Sequence, residues 1–338
     1  MPAYVRKRLL LLPLSFLSIS FVLFLLTRLL PGGPLERALT LDIQARQATP
    51  QMQLTQLDAQ QLATLKAYYG LDRDLLSAYG HWLLSFCRGD LGSSLRYQEP
   101  VAQLIAERMP VSLLFGIWSL FLAYGCCVPL ALALTYFREH RGLRFLQLLL
   151  IAASAVPSYV YASLFFLYAA SSNALFPLDG LTSPDFAQKS WGEKCLDIAW
   201  HAVLPLAAYG LGQLASLSTL LHHQLEDNLG HECVRLALAK GATRWRALWD
   251  HAWPLSYRPL IATLPQQLAW IFAGAMLIER IFNIDGMGLF AYEALIERDY
   301  PIVLGFLALL SLLHLSGQLA ADLLLAALDP RVRWETGA

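Results

Sequence analysis

Six long apolar stretches alternate with polar segments along the chain of 338 residues. They cover residues 9–30, 110–137, 145–170, 199–221, 260–282 and 302–327. A helix needs about 20 mostly apolar residues to cross a bilayer, because each residue adds about 1.5 Å and the hydrocarbon core is about 30 Å thick. The pattern therefore predicts an all-α integral membrane protein with six transmembrane helices.

The composition agrees with a bilayer environment. Hydrophobic residues make up 57% of the chain, charged residues 15%, and the mean hydropathy is +0.47. Soluble domains carry about a quarter charged residues. The net charge is zero, which argues against a nucleic-acid partner. The first stretch follows a basic end but is too long for a signal-peptide core and lacks a small-residue cleavage site, so we interpret it as a retained span.

The distribution of basic residues predicts the orientation, since cytoplasmic loops are enriched in Lys and Arg. If the N-terminus is cytoplasmic, residues 232–259, with their five basic side chains, also lie on the cytoplasmic side. Eight further basic residues lie there too: Arg6, Lys7, Arg8, Arg138, Arg141, Arg144, Arg331 and Arg333. Both termini are therefore predicted to be cytoplasmic.

This orientation divides the chain into four regions. Residues 1–30 are the cytoplasmic N-terminus and first span, and residues 31–108 form an extracytoplasmic segment. Residues 109–328 contain spans two to six and a cytoplasmic loop at 222–258, and residues 329–338 form a cytoplasmic tail. Within the extracytoplasmic segment, apolar residues at helical spacing over 75–86 predict a small helical insert that ends in a turn at Gly89 and Gly92.

The polar stretch "ECVRLALAKGATRWRALWDHAWPLSYRP" at 232–259 predicts a pair of short amphipathic helices between spans four and five. Gly241 is placed to end the first helix and Thr243 to cap the second. Val234, Ala237, Leu238 and Gly241 form a stripe at helical spacing that predicts the first helix, and an apolar face of the second helix is expected at Trp245, Leu248, Trp249, Ala252 and Trp253. Such a pair can dock in a partner's groove or lie on anionic headgroups.

Ionisable residues inside spans are candidates for function, because a buried charge is costly there. His314, Gln318 and Asp322 share one helical face of the last span and predict a polar stripe along a hydrated pathway. Alternatively, Asp322 lies near water at the helix end and His314 is a hydrogen-bonded structural residue. Glu279 and Arg280, at the end of the fifth span, are expected to form an interfacial ion pair.

Prolines at 129, 157, 205 and 265 are expected to interrupt four of the spans. Freed backbone groups must then be satisfied by neighbours or by water in a cavity. That pattern is typical of transporters, and equally of channels.

Several catalytic and cofactor motifs are absent from the sequence. It contains no G-x-x-x-x-G-K-[ST], no G-x-G-x-x-G, no H-E-x-x-H and no G-x-S-x-G. Any work against a gradient must therefore be driven by a partner or by ions. The five cysteines show no metal-ligand spacing, and the sequence leaves open whether Cys87 and Cys195 pair.

The stretch "VRLALAKGATRWRALWDHA" resembles the cytoplasmic loop of permease subunits of binding-protein-dependent ABC importers, the dipeptide/oligopeptide/nickel family. The resemblance continues in "LLPGGPLERA" (29–38), "IFNIDGMGLFAYEALIERDYPIVLG" (281–305) and "QLAADLLLAALDPRVR" (318–333), and is strongest to the YejB type of oligopeptide permease. The chain departs from the family at Leu238, where Arg is usual, and at Gln318, where Asn is frequent.

The resemblance implies a bacterial inner-membrane permease subunit that imports oligopeptides or peptide-like solutes and is not itself an enzyme. It implies no cofactor on this chain, with ATP and Mg on a partner ATPase. The implied partners are a second homologous permease subunit, cytoplasmic ATP-binding subunits, an extracytoplasmic solute-binding protein and membrane lipid. The implied ATPase-coupling residues are Val234, Ala237, Ala239, Lys240, Gly241, Trp245, Leu248, Trp249 and His251.

Two other classes of function stay open at this point. One is a stand-alone proton-coupled secondary transporter, in which His314 and Asp322 relay protons. The other is an intramembrane enzyme that uses a membrane serine and His314, although the nucleophile motif is missing.

Overall fold

The structure is a computed structural model, which describes residues 2–29, 74–171 and 176–328. Within these ranges the chain is helical and forms no strand, apart from an isolated bridge between Ser93 and Pro100. The predicted all-α class is therefore confirmed for the described part of the chain.

Twelve helices follow one another along the described residues. In chain order they are α1 (Pro2–Leu29), α2 (Leu75–Cys87), α3 (Val101–Tyr136), α4 (Arg141–Ser154), α5 (Ser158–Ser171), α6 (Trp191–Leu229), α7 (Glu232–Ala239), α8 (three consecutive pieces, Arg244–Arg246, the π-helical Ala247–Ala252 and Trp253–Ser256), α9 (Arg258–Ala273), α10 (Met276–Ile281), α11 (Met287–Ile296) and α12 (Tyr300–Leu328).

Five segments are long and apolar enough to cross a membrane. They are Leu9–Leu29, Val101–Tyr136, Trp191–Leu229, Arg258–Ile281 and Tyr300–Leu324. A sixth crossing requires that the bent pair α4 and α5 be counted as one span. Five of the six predicted spans thus correspond to apolar helices of sufficient length, and the six-span layout stays a prediction.

The third apolar stretch differs from the prediction of one helix over 145–170. Helices α4 and α5 meet at 104°, with a break between Ser154 and Ser158. Pro157 has no N–H to continue the helical ladder, and its ring disfavours the helical conformation at Val156. Local covalent geometry therefore ends one helix and starts another in mid-stretch.

The other three prolines do not interrupt their helices, so that expectation was wrong. Pro129 lies inside α3, Pro205 inside α6 and Pro265 inside α9. Packed neighbours in a membrane protein can satisfy the backbone groups that a proline frees, and both Pro205 and Pro265 are buried.

The chain divides into two compact units. The first comprises Met1–Arg8, Pro110–Leu289 and His314–Ala338. One of its cores joins α3, α6, α7, α8 and α9 around Leu221, Leu225, Val234 and Leu248. The other joins α3, α5, α6 and α10 around Phe115, which stacks on Tyr209 at a ring distance of 5.6 Å.

The second unit comprises the described residues within 9–109 and 290–313. Its helix α2 confirms the helix predicted over 75–86, and Gly89 and Gly92 adopt the positive φ angles of 81° and 83° that a turn requires. Helix α2 packs along α1, where the Tyr79 hydroxyl donates to the Leu17 carbonyl at 3.0 Å. Residues 31–73 of the predicted insert lie outside the described residues.

Asp299 organises the polar part of the second unit. Its Oδ2 accepts hydrogen bonds from the Ser94 hydroxyl at 2.6 Å, from Leu95 N at 2.9 Å and from Arg96 N at 3.1 Å. The side chain is almost completely buried. One carboxylate oxygen therefore ties the turn before α3 to the turn between α11 and α12.

We expect Asp299→Ala to lower the melting temperature of the purified protein, measured in detergent. The substitution leaves Leu95 N and the Ser94 hydroxyl without their acceptor and removes one of the two acceptors of Arg96 N, and each unsatisfied buried group costs about 1–3 kcal/mol. Glu99→Ala removes an exposed carboxylate from the same turn and is the matched control. Equal melting temperatures for the two variants would contradict the role of Asp299.

Candidate functional site

The segment between α6 and α9, residues 230–257 and here called the inter-span segment, has the predicted capping chemistry. Gly241 has a φ of 89°, and Ala242 N donates across it to the Ala237 carbonyl at 3.0 Å. The Thr243 hydroxyl accepts from Arg246 N at 3.3 Å. Both predicted caps are confirmed, and the glycine gives the left-handed turn that separates α7 from α8.

Only part of the stripe along α7 is buried. Val234 and Ala237 are buried, whereas Leu238, expected in the same stripe, is exposed together with Leu236. Sequence analysis missed both leucines as surface residues. Leu236 lies outside the spacing of the predicted stripe, which was a signal of its exposure, whereas the spacing of Leu238 gave no such signal.

In α8 the predicted single apolar face divides into two. Ala247, Leu248 and Ala252 are buried in the core, while Trp245 and Trp249 are 46% and 45% exposed. The indole rings of Trp245, Trp249 and Trp253 stack in sequence at 6.2 and 6.0 Å. Small alanines allow close approach to the core, and the large rings stay at its edge. A π-helical turn over Ala247–Ala252, not foreseen from the sequence, accompanies this arrangement.

The implied coupling residues therefore fall into two groups. The first group is buried and anchors the segment, namely Val234, Ala237 and Leu248. The second group is exposed on its surface, namely Ala239, Lys240, Gly241, Trp245, Trp249 and His251. We call the exposed Leu236, Leu238, Trp245 and Trp249 the apolar patch.

Polar contacts fasten the inter-span segment to the apolar helices. Asn228 Nδ2 in α6 donates to the Ser256 hydroxyl at 3.0 Å. Ser256 in turn donates to the Gln224 carbonyl at 3.1 Å. Tyr136, at the end of α3, packs edge-on against Trp245 at 5.5 Å. A displacement of the segment would therefore be transmitted to both α3 and α6.

A buried carboxylate was also missed at the sequence level. Glu279 is fully buried in α10, and its oxygens accept from the Tyr209 hydroxyl at 3.0 Å, from Ala275 N at 3.2 Å and from Leu289 N at 2.7 Å. The expected interfacial pair with Arg280 is therefore wrong. Ala275 lies between α9 and α10, and Leu289 lies in the first turn of α11, after the non-helical residues that follow α10. The carboxylate therefore accepts one N–H group next to each helix break.

We call the Glu279 carboxylate and its donors Tyr209, Ala275 and Leu289 the carboxylate knot. Three glycines allow the close packing around it. A Cβ on Gly274 would lie 2.3 Å from Glu279 Oε1, and one on Gly286 would lie 2.6 Å from Glu279 Cδ. A Cβ on Gly288 would lie 2.6 Å from Met276 N. Real Cβ atoms do not approach other atoms so closely, so the knot requires these glycines.

The first unit also contains a cavity of about 380 Å³, here called the chamber. It lies within the range of about 300–1,000 Å³ that ligand pockets have. Its polar lining includes Ser119, Ser154, Ser158, Ser216, Thr263, Gln213 and Gln267. Gln213 Nε2 donates to Gln267 Oε1 at 2.9 Å, which joins α6 to α9 inside the chamber. Both amides lie within apolar stretches of the sequence, and this position could have identified Gln213 and Gln267 as candidates for a polar site inside the membrane.

The knot and the chamber adjoin each other. Tyr209, Gly274 and Ala275 belong to the knot and also line the chamber. From Tyr209 to Leu220 the lining follows α6 for about 16 Å, given a rise of about 1.5 Å per residue.

The predicted polar stripe of α12 lies elsewhere. His314 and Gln318 are exposed, Asp322 is partly buried, and none of the three lines the chamber. Their role along a pathway stays a prediction. Cys87 and Cys195 are both free and exposed.

Several long apolar helices, a broken helix pair and a polar chamber define the class of this chain: it is a multi-pass helical membrane protein. Residues 127–334 match the family described as binding-protein-dependent transport system inner membrane component. The chain belongs to this family of ABC importer permeases, which are transport proteins and not enzymes.

Relatives match over almost their whole length. The inner membrane ABC transporter permease protein YejB of Escherichia coli O157:H7 is 29% identical, with 99% of this chain and 100% of the relative covered. The peptidoglycan transport system permease protein YejB of Agrobacterium fabrum is 29% identical, with 99% of each covered. The dipeptide transport system permease protein DppB of Bacillus subtilis is 27% identical, with 98% of each covered. The chain is a YejB-like member of the peptide permeases.

We expect Gly274→Ala to lower the melting temperature much more than Gly180→Ala. Both glycines have a positive φ, 68° and 72°, which strains an alanine, and at Gly274 the ψ of −177° adds to the strain because essentially only glycine occupies that region. Only at Gly274 does the added Cβ meet the Glu279 carboxylate, because nothing lies within 4 Å of it at Gly180. Thermal unfolding in detergent measures the difference, and similar shifts would show that the knot is not closely packed.

Proposed function

We propose that this chain is the inner-membrane permease subunit of an ABC importer for oligopeptides or peptide-like solutes. The names of two of its relatives, a peptidoglycan transport permease and a dipeptide transport permease, support this solute class. The chain would form half of the translocation pathway, and a second homologous permease subunit would form the other half. An extracytoplasmic solute-binding protein would deliver the solute.

ATP and Mg would bind to cytoplasmic ATPase subunits and not to this chain, whose sequence has no P-loop motif. Both termini and the inter-span segment would be cytoplasmic, as the distribution of basic residues predicts. Conformational changes of the ATPase would reach the apolar helices through the inter-span segment, and the chamber would be exposed alternately to the two sides of the membrane.

One observation carries this proposal: the apolar patch is exposed on a segment whose opposite side is buried in the core. Exposed apolar residues grouped on one surface are typical of protein interaction sites. Arg235, Lys240, Arg244 and Arg246 surround the patch and are also exposed. The anchoring through Val234, Leu248 and Ser256 gives a docked partner a mechanical connection to α3 and α6.

We expect the double substitution Trp245→Ser, Trp249→Ser to reduce solute import about tenfold or more. A tryptophan at the centre of an interface contributes about 2 kcal/mol to binding, and these rings are half exposed, so their loss would weaken docking without opening the core. The measurement is uptake of radiolabelled trialanine by the assembled complex in liposomes containing ATP, with the membrane level of the variant measured alongside.

Trp191→Ser is the matched control, because Trp191 is 86% exposed at the far end of α6. Its uptake is expected to equal that of the unmodified complex. Unchanged import by the double variant would contradict the coupling role of the patch. If the basic surface instead holds lipid headgroups, both variants should retain import, and binding of the segment to anionic vesicles should depend on its arginines.

The stand-alone transporter is tested by the same preparation without ATPase. The purified chain alone should not accumulate trialanine under a proton gradient. Accumulation that His314→Ala abolishes would replace our proposal by proton-coupled transport.

A further inference from the structure

The chamber is polar but uncharged. None of the described residues that line it carries a charged side chain, although it contains amides, hydroxyls and one phenol. A cavity of this kind can satisfy hydrogen-bonding groups inside the membrane without imposing a charge on what enters. It therefore does not select for the charged termini or charged side chains of a solute.

The pair Gln213 and Gln267 leaves a defined set of groups for a ligand. In the structure, one N–H of Gln213 is bonded to the Gln267 carbonyl, which leaves the Gln213 carbonyl and the Gln267 amino group. If both side-chain amides are rotated by about 180°, so that their oxygen and nitrogen atoms exchange places, Gln267 becomes the donor and Gln213 the acceptor. One carbonyl and one amino group again remain for a ligand. In the described part of the chain neither amide has a second protein partner. A peptide group presents the complementary acceptor and donor.

The helix break at 155–157 gives independent support. Ser154, Val156 and Ser158, on either side of the break, line the chamber. Non-helical backbone at membrane depth is tolerated where it is buried in protein or lines a cavity. In secondary transporters, discontinuous helices commonly form the substrate site, since their exposed backbone groups can bind polar solutes.

We propose that the chamber is a binding site for the uncharged backbone of a peptide, in which the amides of Gln213 and Gln267 hydrogen-bond one peptide group. The inference rests on the proposed function and adds what the chamber recognises. Because every peptide has the same backbone, the site accepts peptides of many sequences, and selection between them falls to the extracytoplasmic binding protein.

The first experiment removes the amides. The pair Gln213→Leu, Gln267→Leu keeps two side chains of similar length in contact but provides no hydrogen bond to a solute. Uptake of trialanine in liposomes is expected to fall about tenfold, since each hydrogen bond contributes about a factor of several. The binding protein is the same for every variant, so any difference arises in the permease.

Gln266→Leu is the matched control. It makes the same chemical change one residue away, on the exposed side of α9, and it does not line the chamber. Its uptake should equal that of the unmodified complex. The Gln266→Leu complex should hydrolyse ATP at the basal rate of the unmodified complex. The double variant should assemble with its partners in the same amount as the unmodified chain, which a purely structural role of the amide pair would not allow.

A second experiment reads occupancy directly. Benzoylphenylalanine introduced at position 216, which lines the chamber and leaves both amides in place, should become crosslinked to labelled trialanine during ATP turnover, and the same probe at position 266 should not. Equal uptake by the double variant and the unmodified complex, or equal labelling at both positions, would overturn the inference. Failure of the unmodified complex to import trialanine would instead contradict the proposed function.

Discussion

Hydrocarbon offers no water to hydrogen-bond a backbone N–H or C=O, and this constraint governs the first unit. The helices are interrupted at two places that line the same cavity, residues 155–157 and residues 274–275. At the second, the Glu279 carboxylate accepts the N–H groups of Ala275 and Leu289. The structure thus brings irregular backbone together around one polar chamber, and the knot fixes one end of it.

The constraint also explains why small residues are placed where they are. Gly274 and Gly286 leave room for the carboxylate, and Gly116 lies so close to α9 that an added Cβ would be 2.6 Å from the Ile271 Cα. In α8, Ala247 and Ala252 allow the inter-span segment to approach the core. The alanines hold the inter-span segment against the core, while Gly116 and Ile271 hold α3 against α9 in the chamber wall.

Local signals were the ones that sequence reasoning interpreted correctly. The turn at Gly241 and the cap at Thr243 depend on the backbone conformation of a few neighbouring residues, as does the helix over 75–86. Predictions that depended on distant partners were less successful. Leu238 and the tryptophans follow helical spacing, but only the packing of α3, α6 and α7 decides which side chains are buried. Glu279 illustrates the same limit, because its partners lie in three other segments.

The sequence by itself determined an all-helical membrane protein, the positions of five apolar spans, the capped inter-span segment and the resemblance to peptide permeases. Those properties follow from apolar runs, capping residues and local motifs, which are legible along one chain. Only the tertiary structure decided that Gln213 meets Gln267, that α4 and α5 bend apart at a break that lines the same chamber, and that Tyr209 in the chamber wall donates to Glu279. Each of these depends on side chains from separate helices meeting at hydrogen-bonding distance, and one-dimensional spacing does not specify such distances.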